Sequence, residues 1–447
     1  MSTCVTIESL DQEGRGVARV EGKTVFVEGA LPGEQVRIET LKKKPSYDIA
    51  RVVAIDKASA SRVAPRCPHF GVCGGCSLQH ADFALQVASK QKTLEDALER
   101  IGRVKPETLL PAIGGPAWNY RYRARLSVRH VPKKGGVLVG FHERHSSFVA
   151  DMRECHVLPK KISDLLPVLR TLVASLTIRD RLPQIEVAIG ERLPAIEGAP
   201  TPPAVYALVL RVLDLPSETD EAKLVAFADM HGVELWLQPG GPNTVAPFHP
   251  RHATLAYTLP EFDVAIPFLP TDFTQVNARV NRVLVRRAVT LLGPVAGERI
   301  ADFFCGLGNF ALPIAQRGAR VIGVEGNAAL VNRAKDSAVR NGLADRLAFV
   351  VANLFTASME TIAALGTLDR ALIDPPREGA VELAKALPGR DDGAALKRIV
   401  YVSCNPATLA RDAAVLVNDR GYRLTAAGVV NMFPHTAHVE SIAVFEP

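Results

Sequence analysis

The first 55 residues alternate short apolar segments with glycine- or proline-containing turns. Five such segments read as β-strands: VTIESL, GVARVEG, KTVFVEGAL, EQVRIETLKKK and YDIARVVAI. About five strands in so short a span predict a small closed barrel, because closure leaves no unpaired edge strand. We therefore expect an N-terminal β-barrel over residues 1–58. The lysine run 42–44 ends the fourth segment, where it fits either a phosphate-contacting loop or a solvated turn.

Residues 59–268 mix helical and strand patterns and predict a central α+β domain. Asp82 is placed to begin a helix and Gly102 to end it. The apolar positions of this helix recur at helical spacing: Phe83, Val87, Leu94, Leu98 and Ile101. Another helix is expected near residues 160–176, with strands at VELWLQ and LAYTL and a Pro-rich loop at RLPAIEGAPTPP.

The segment NYRYRARLSVRH predicts a strand with one basic and one apolar face. Successive side chains of a strand point to opposite faces, which separates the apolar positions from Arg121, Arg123, Arg125 and Arg129. A basic sheet face is suited to RNA phosphates. An ordinary solvated face has the same pattern, so both interpretations stay open.

Residues 269–447 alternate helical stretches with short apolar strands. The strands are RIADFF, RVIGVE, LAFVVAN, RALIDPP and RIVYVS. This alternation predicts a doubly wound, mostly parallel, Rossmann-like α/β sheet. Three domains suit a chain of 447 residues, which is long for one compact core. Ligands of such sheets bind beyond the carboxyl ends of the strands, so the residues just after each strand are the candidates for function.

Composition narrows the class of protein only slightly. The net charge of +6 fits a polyanionic partner without requiring one. There is no apolar run of membrane-spanning length and no secretory signal at the N-terminus, so we expect a cytoplasmic protein without a membrane partner. No obligate protein partner is evident. Seven cysteines in a cytosolic chain are not expected to form a disulfide framework.

The strand ends of the α/β domain carry the features of a methyl-donor site. A Gly-rich turn, CGLGNF, follows the first strand, and Glu325 ends the second, where an acid can bind a ribose diol. Asn353 follows the third strand, and Asp374 begins an Asp-Pro-Pro turn after the fourth. That turn is typical of transferases that use S-adenosylmethionine on bases. The set favours S-adenosylmethionine over a nicotinamide dinucleotide.

Cys404 follows the fifth strand and is the candidate nucleophile. Uracil C5 is too weak a nucleophile to take a methyl group directly, but a thiolate adding to C6 activates it. A base must then remove the C5 proton, and the C-terminal segment offers Glu440, His435 and His438. Glu440 is preferred because its apolar flanks raise its basicity. The alternatives are an inert core thiol at Cys404 and a merely ion-paired Glu440.

Three cysteines within ten residues indicate a metal site. Cys67, Cys73 and Cys76 lie among glycines, and Cys155 is the remaining thiol with polar neighbours. Four thiolates suit zinc or a 4Fe–4S cluster, and the spacing favours the cluster only slightly. Because four ligands leave no open iron, a structural role is expected rather than radical chemistry.

These motifs together resemble the RNA uracil-5-methyltransferase family, in its branch that modifies a 23S rRNA uridine, conventionally numbered 1939. The blocks FTQVN, DFFCGLGNF, GVE, DPPR, SCNP and HVES carry the resemblance. It implies that residues 1–55 are a TRAM domain and that the four cysteines bind a 4Fe–4S cluster. It also implies Cys404 as nucleophile, Glu440 as base, and S-adenosylmethionine contacts from Gln275, Phe304, Asn309, Glu325 and Asp374.

Some features leave rival functions open. Asn353 stands where the family has Asp, which makes a contact with the adenine less secure. The rivals are a tRNA uracil-5-methyltransferase, an adenine N6-methyltransferase, and a cluster-dependent RNA-binding or redox protein. If the substrate is a structured rRNA loop, its uridine must be flipped out to reach Cys404.

Overall fold

The computed structural model describes residues 3–193 and 203–447. Most of the Pro-rich loop expected over residues 192–203 lies outside these ranges. Among the described residues there are three regions: an N-terminal barrel, a central α+β layer and a C-terminal α/β sheet. No helix in the described ranges is long and apolar enough to cross a membrane.

The N-terminal region is a small β-barrel, which confirms the predicted fold. Its strands are β1 (Thr3–Thr6), β2 (Ser9–Leu10), β3 (Gly16–Val20), β4 (Lys23–Glu28), β5 (Gln35–Lys43) and β6 (Tyr47–Lys57), in the order β1-β5-β6-β4-β3-β2. The predicted strand VTIESL is bent into two pieces: the amide of Ile7 donates to Glu34 and that of Glu8 to Val17. The bent segment thus pairs with β5 at one end and β3 at the other, and closes the barrel.

Residues 83–110 lead from the barrel to the other two regions. Helix α1 (Phe83–Ala97) begins at the predicted Asp82, whose side chain accepts a hydrogen bond from the Leu85 amide at 2.7 Å. It continues as a wide turn over Leu98–Gly102, and a short strand follows, β7 (Thr108–Leu109).

The burial pattern of α1 differs from its apolar spacing, and the predicted cap is wrong. Phe83 and Ile101 are 41% and 49% exposed, whereas the buried face includes Gln86 and Lys90. The reason is that α1 packs against a polar loop of the α/β region. The left-handed cap is Arg103, not Gly102. Gly102 instead allows close packing, since a Cβ there would lie 2.6 Å from the Ala410 carbonyl oxygen.

The central region is a mixed sheet covered by two helices. Its elements are β8 (Arg123–Val131), β9 (Gly136–Gly140), α2 (Lys160–Ser175), β10 (Gln184–Glu191), β11 (Ala204–Arg211), α3 (Glu218–His231), β12 (Glu234–Gln238), β13 (Ala246–His249), β14 (Leu255–Leu259) and β15 (Val264–Phe268). The sheet order is β13-β12-β11-β10-β14-β15, with β8 pairing with β10 and β9. Side chains on one face pack on α2 and α3, and those on the other share a core with the α/β region.

The predicted two-faced strand is β8. Ala124, Leu126 and Val128 are buried, whereas Arg125 and Arg129 are exposed. Arg123 is the exception on the basic face: it is largely surrounded by protein, and this burial lowers its pKa to about 10. RNA contact by this face stays a prediction.

The C-terminal region is a doubly wound sheet, as predicted. Its elements are α4 (Ala278–Leu292), β16 (Arg299–Phe303), α5 (Ala311–Gln316), β17 (Arg320–Glu325), α6 (Ala328–Arg340), β18 (Leu347–Val351), α7 (Met359–Ala363), β19 (Arg370–Ile373), α8 (Val381–Ala386), β20 (Arg398–Ser403), α9 (Pro406–Ala414), β21 (Arg423–Val430) and β22 (Glu440–Glu446). The order is β18-β17-β16-β19-β20-β22-β21-β7. Strands β16 to β20 are parallel, and β22 is antiparallel to both neighbours.

Part of the chain before residue 269 completes this sheet. Strand β7 pairs with β21 at its edge, and Leu94 and Leu98 of the α1 segment lie in the same core as the buried side chains of β20. Residues 83–110, which the expected division assigns to the central domain, thus pack on the C-terminal sheet. The expected division at residues 58 and 268 stays a prediction.

Candidate active site

The carboxyl ends of the parallel strands bring most of the candidate residues to one edge of the sheet. Phe303 is paired with Val324 of β17 and with Ile373 of β19. Phe304, Glu325 and Asp374 therefore leave adjacent strands side by side. Asn353 follows β18, and Cys404 follows β20 at the same edge.

The Gly-rich turn after β16 is tied to Glu325. One carboxylate oxygen of Glu325 accepts from the Gly306 amide at 3.1 Å, and the other accepts from the Asn327 amide at 2.9 Å. Gly308 adopts a left-handed conformation with φ of 91°, and a Cβ there would lie 2.2 Å from a Leu312 methyl carbon. The turn therefore depends on glycine at residue 308.

Two aromatic rings stand beside this turn. Phe304 has φ of 63°, a left-handed conformation that is rare for a residue with a Cβ and that concentrates at functional sites. Its ring centre lies 5.6 Å from that of Phe355, a half-exposed side chain. The Asn353 side chain accepts from the Phe355 amide at 3.1 Å, so its carbonyl oxygen already has a backbone partner.

Gln275 and Asn309 lie beside residues of the central region. Gln275 lines a cavity together with Tyr257 and Asn281. Asn309 is engaged there, because its side-chain oxygen accepts from Asn281 at 2.9 Å and from the Tyr257 hydroxyl at 3.2 Å. The contribution of these two residues to cofactor binding stays a prediction.

Asp302 is a feature of the site that the sequence interpretation missed. It is fully buried, and neither carboxylate oxygen makes a hydrogen bond of normal geometry, although the Ala311 amide interacts weakly with it. Burial raises its pKa to about 8. Asp374 is half-buried, and desolvation, Glu440 and Asp302 raise the pKa of its carboxyl well above the ordinary value. Buried acids without cationic partners suit a positively charged ligand.

Cys404 lies on a rigid turn that is joined to the Asp-Pro-Pro turn. The Asn405 side chain caps α9 by accepting from the Ala407 amide at 3.1 Å, and Pro406 begins that helix. The Asn405 side chain also donates to the Arg377 carbonyl at 3.1 Å. The predicted proximity of the two turns is observed.

Strand register places Glu440 across from Cys404. Ser403 is paired with Ser441 in the antiparallel ladder between β20 and β22, so the next pair of positions is Cys404 and Glu440. Glu440 is 6% exposed. Burial is the main reason why the pKa of the Cys404 thiol is raised to about 11. Glu440 and Asp374 raise this pKa further, whereas Arg377 lowers it. The thiol is thus neutral in this state and lies beside two carboxyl groups.

The two histidines weighed as alternative bases have different surroundings. His438 lies beside the base candidate, with its Nε2 3.5 Å from a Glu440 oxygen. His435 points to the central region, where its ring stacks on Trp118 with ring centres 3.8 Å apart. Burial lowers the pKa of His435 to about 4, and its neutral ring has no contact with Cys404.

The four candidate metal ligands line one cavity. Cys67, Cys73, Cys76 and Cys155 surround it with Met152 and Phe141. Burial raises the pKa of Cys76 to about 12 and that of Cys155 to about 11. Across residues 3–193 and 203–447, no group of three or more His, Cys, Asp or Glu side chains is arranged to hold a single metal ion.

Comparison with known proteins identifies the class first. The sequence model of the family described as tRNA (Uracil-5-)-methyltransferase matches residues 263–446, and that of the TRAM domain matches residues 4–53. The α/β region is therefore a methyltransferase domain preceded by a TRAM domain. The fold agrees with a crystal structure of the Pyrococcus abyssi tRNA (uracil-54, C5)-methyltransferase in complex with S-adenosyl-L-homocysteine. That chain is 24% identical, with a TM-score of 0.71 and all of both chains covered.

Full-length relatives then specify the family. The chain is 61% identical over 447 residues to the 23S rRNA (uracil(1939)-C(5))-methyltransferase RlmD of Azoarcus sp. (strain BH72), covering 100% of both chains. It is 60% identical to the protein of the same name from Nitrosospira multiformis, covering 100% of this chain and 99% of the relative. The chain belongs to this family of 23S rRNA uracil-C5-methyltransferases.

Proposed function

We propose that the chain transfers a methyl group from S-adenosylmethionine to C5 of a uridine in 23S rRNA, the one at position 1939 in the relatives' name. The observation that carries the mechanism is the register that sets Cys404 opposite Glu440 at the sheet edge. This register supports a nucleophile and a base that act on the same ring. An adenine N6-transferase has no use for that thiol.

Each residue has one role in the proposed reaction. Cys404 gives its proton to water as its sulfur forms a bond to C6 of uracil, which moves the electrons of the C5–C6 double bond toward C5. S-adenosylmethionine, when bound, supplies the methyl group that C5 takes up. Glu440 then removes the C5 proton, the double bond re-forms, and the thiolate leaves. C5 therefore gains a methyl group and loses a proton.

The acidic edge supports S-adenosylmethionine as the donor. Glu325 is suited to ribose hydroxyls, and the half-buried carboxyl group of Asp374 is suited to the cationic sulfonium and amino groups. Phe304 and Phe355 offer faces to the adenine ring. Gln275, Asn309 and Asn353 complete the proposed set, with Asn353 contributing through its second lone pair.

An RNA carrying 5-fluorouridine at the target tests the reaction directly. Fluorine cannot leave C5 as a cation, so the final elimination fails and Cys404 stays bonded to the methylated base. We expect a protein–RNA adduct that survives denaturing gel electrophoresis, formed only with S-adenosylmethionine present. Absence of the adduct with an RNA that is otherwise methylated contradicts the mechanism.

We further propose that Cys67, Cys73, Cys76 and Cys155 hold a 4Fe–4S cluster. Four thiols around one cavity, two of them buried and two half-buried, suit a group that needs thiolates. In such a cluster each thiolate binds a different iron, so the sulfurs need not converge on one point, whereas zinc requires a common tetrahedral centre. The cluster has a structural role here, because all four irons receive a protein ligand.

Anaerobic purification tests the cluster. We expect a brown protein with about four irons per chain, and a Cys76→Ser variant with less iron and lower thermal stability. Since Cys4 lies exposed on the barrel, Cys4→Ser is the matched control and should keep the full iron content. A colourless wild-type protein that contains one zinc would refute the assignment.

The remaining surfaces suit the RNA. The TRAM barrel carries the lysine run 42–44, in which Lys42 and Lys43 are exposed, and the central sheet exposes Arg125 and Arg129. Because the Cys404 thiol lies within the sheet edge, a structured loop must flip its uridine out, at a cost of a few kcal/mol. A ribosomal RNA substrate places the enzyme in the cytoplasm.

A further inference from the structure

Lys90 is a buried cation that the reaction outlined above does not use. It lies on the face of α1 that packs against the catalytic region, and it is 1% exposed. Its ammonium donates to the Asn431 side-chain oxygen at 2.7 Å and to the Phe433 carbonyl at 2.8 Å. Within the described ranges no carboxylate is near enough to form an ion pair with it. Burying a lysine between neutral acceptors is costly, which points to a role beyond packing.

The two acceptors of Lys90 belong to the segment that leads to the proposed base. Val430 is paired with Glu440 in the ladder between β21 and β22, and Asn431 is the next residue. Phe433 lies two residues further along the connection that returns to Glu440. Lys90 thus holds one side chain and one carbonyl of the connection that runs from the partner of Glu440 in the ladder back to Glu440.

The same connection is held by other residues outside the catalytic region. The Gln86 side chain accepts from the His435 amide at 2.7 Å. The His435 carbonyl accepts from the amides of Ser77 and Leu78, both at 2.9 Å. Lys90 is the charged member of this group. Burial lowers its pKa to about 7 while Glu440 raises it, so its ammonium lies within electrostatic range of that carboxylate.

We propose that Lys90 is a positioning residue for proton removal, holding Asn431 and Phe433 so that the Glu440 carboxylate faces C5 of the adduct. This inference rests on the proposed function, since it concerns the second half of the same reaction. A misplaced base leaves thiol addition and methyl uptake intact. It slows loss of the C5 proton, so the methylated RNA stays bonded to Cys404.

Lys90→Met tests this role, because methionine keeps most of the side-chain volume without the ammonium. With ordinary uridine RNA and S-adenosylmethionine, we expect the denaturation-stable adduct to accumulate and kcat to fall about 10- to 100-fold. The KM for RNA should stay near that of the wild type. Lys92→Met is the matched control, since Lys92 lies on the exposed side of the same helix, paired with Asp96, and should turn over normally.

Folding is checked by cooperative thermal unfolding and by S-adenosylmethionine binding in calorimetry. If Lys90→Met does not fold, Asn431→Leu removes one acceptor instead and is judged by the same criteria. A folded variant with turnover within about twofold of the wild type overturns the inference. So does a folded variant that loses adduct and turnover together, because Lys90 would then act before proton removal.

The wild type on 5-fluorouridine RNA separates the two proposals. No adduct in the wild type refutes the proposed function itself. An adduct in the wild type, with Lys90→Met unchanged on uridine RNA, refutes only the role of Lys90.

Discussion

Replacing Cys404 with alanine is expected to lower methyl transfer by about 10⁴-fold or more, with no adduct on 5-fluorouridine RNA. The reason is that C5 receives no electron density without addition at C6, and the other thiol at this sheet edge, Cys305, is buried and has a pKa raised well above its ordinary value by that burial. The assay measures methyl incorporation from radiolabelled S-adenosylmethionine and adduct on denaturing gels. Binding of S-adenosylmethionine should be nearly unchanged.

Cys4→Ala is the control for the loss of a cysteine, because Cys4 lies exposed on the barrel, far along the chain from the site. It should methylate like the wild type. Residual activity above about 1% in Cys404→Ala would contradict the nucleophilic role. So would an adduct that persists in this variant.

Glu440→Gln is expected to separate the two halves of the reaction. The amide cannot accept the C5 proton, so turnover should fall by about 10²- to 10⁴-fold. The methylated RNA should remain bonded to Cys404 even with ordinary uridine. Quantifying adduct and released 5-methyluridine from the same samples measures both halves.

Glu446→Gln is the matched control for this prediction. Glu446 ends the same strand, away from Cys404, and pairs with Arg398. It should release product normally. If Glu440→Gln instead forms no adduct and releases no product, the carboxylate acts before proton removal and the assigned role is wrong. Release of the methylated RNA at the wild-type rate would also exclude Glu440 as the base.

The sequence predicts the strand ends of the methyltransferase domain well, because a parallel sheet leaves little freedom there. Once RIADFF, RVIGVE and RALIDPP are strands, Glu325 and Asp374 must emerge at one edge. The position of Glu440 opposite Cys404 is harder to predict from the sequence. It requires the antiparallel insertion of β22 beside β20, which local periodicity does not reveal.

The α1 segment shows where local patterns mislead. Phe83 and Ile101 share the helical spacing of the other apolar positions, yet they are exposed, whereas Gln86 and Lys90 are buried. A polar residue can be buried when its partners are supplied from elsewhere, here by a loop more than 300 positions later in the chain. Asp302 was overlooked for a related reason: its lack of partners is visible only in three dimensions.

The placement of β7 and α1 on the C-terminal sheet has a consequence for biosynthesis. Residues 83–110 emerge from the ribosome long before α9 and β21, which pack against them. Until then Leu94 and Leu98 stay open to solvent and to chaperones, because the nascent chain contains nothing that can bury them. The polypeptide is thus committed to its catalytic fold only after nearly all of it has been translated.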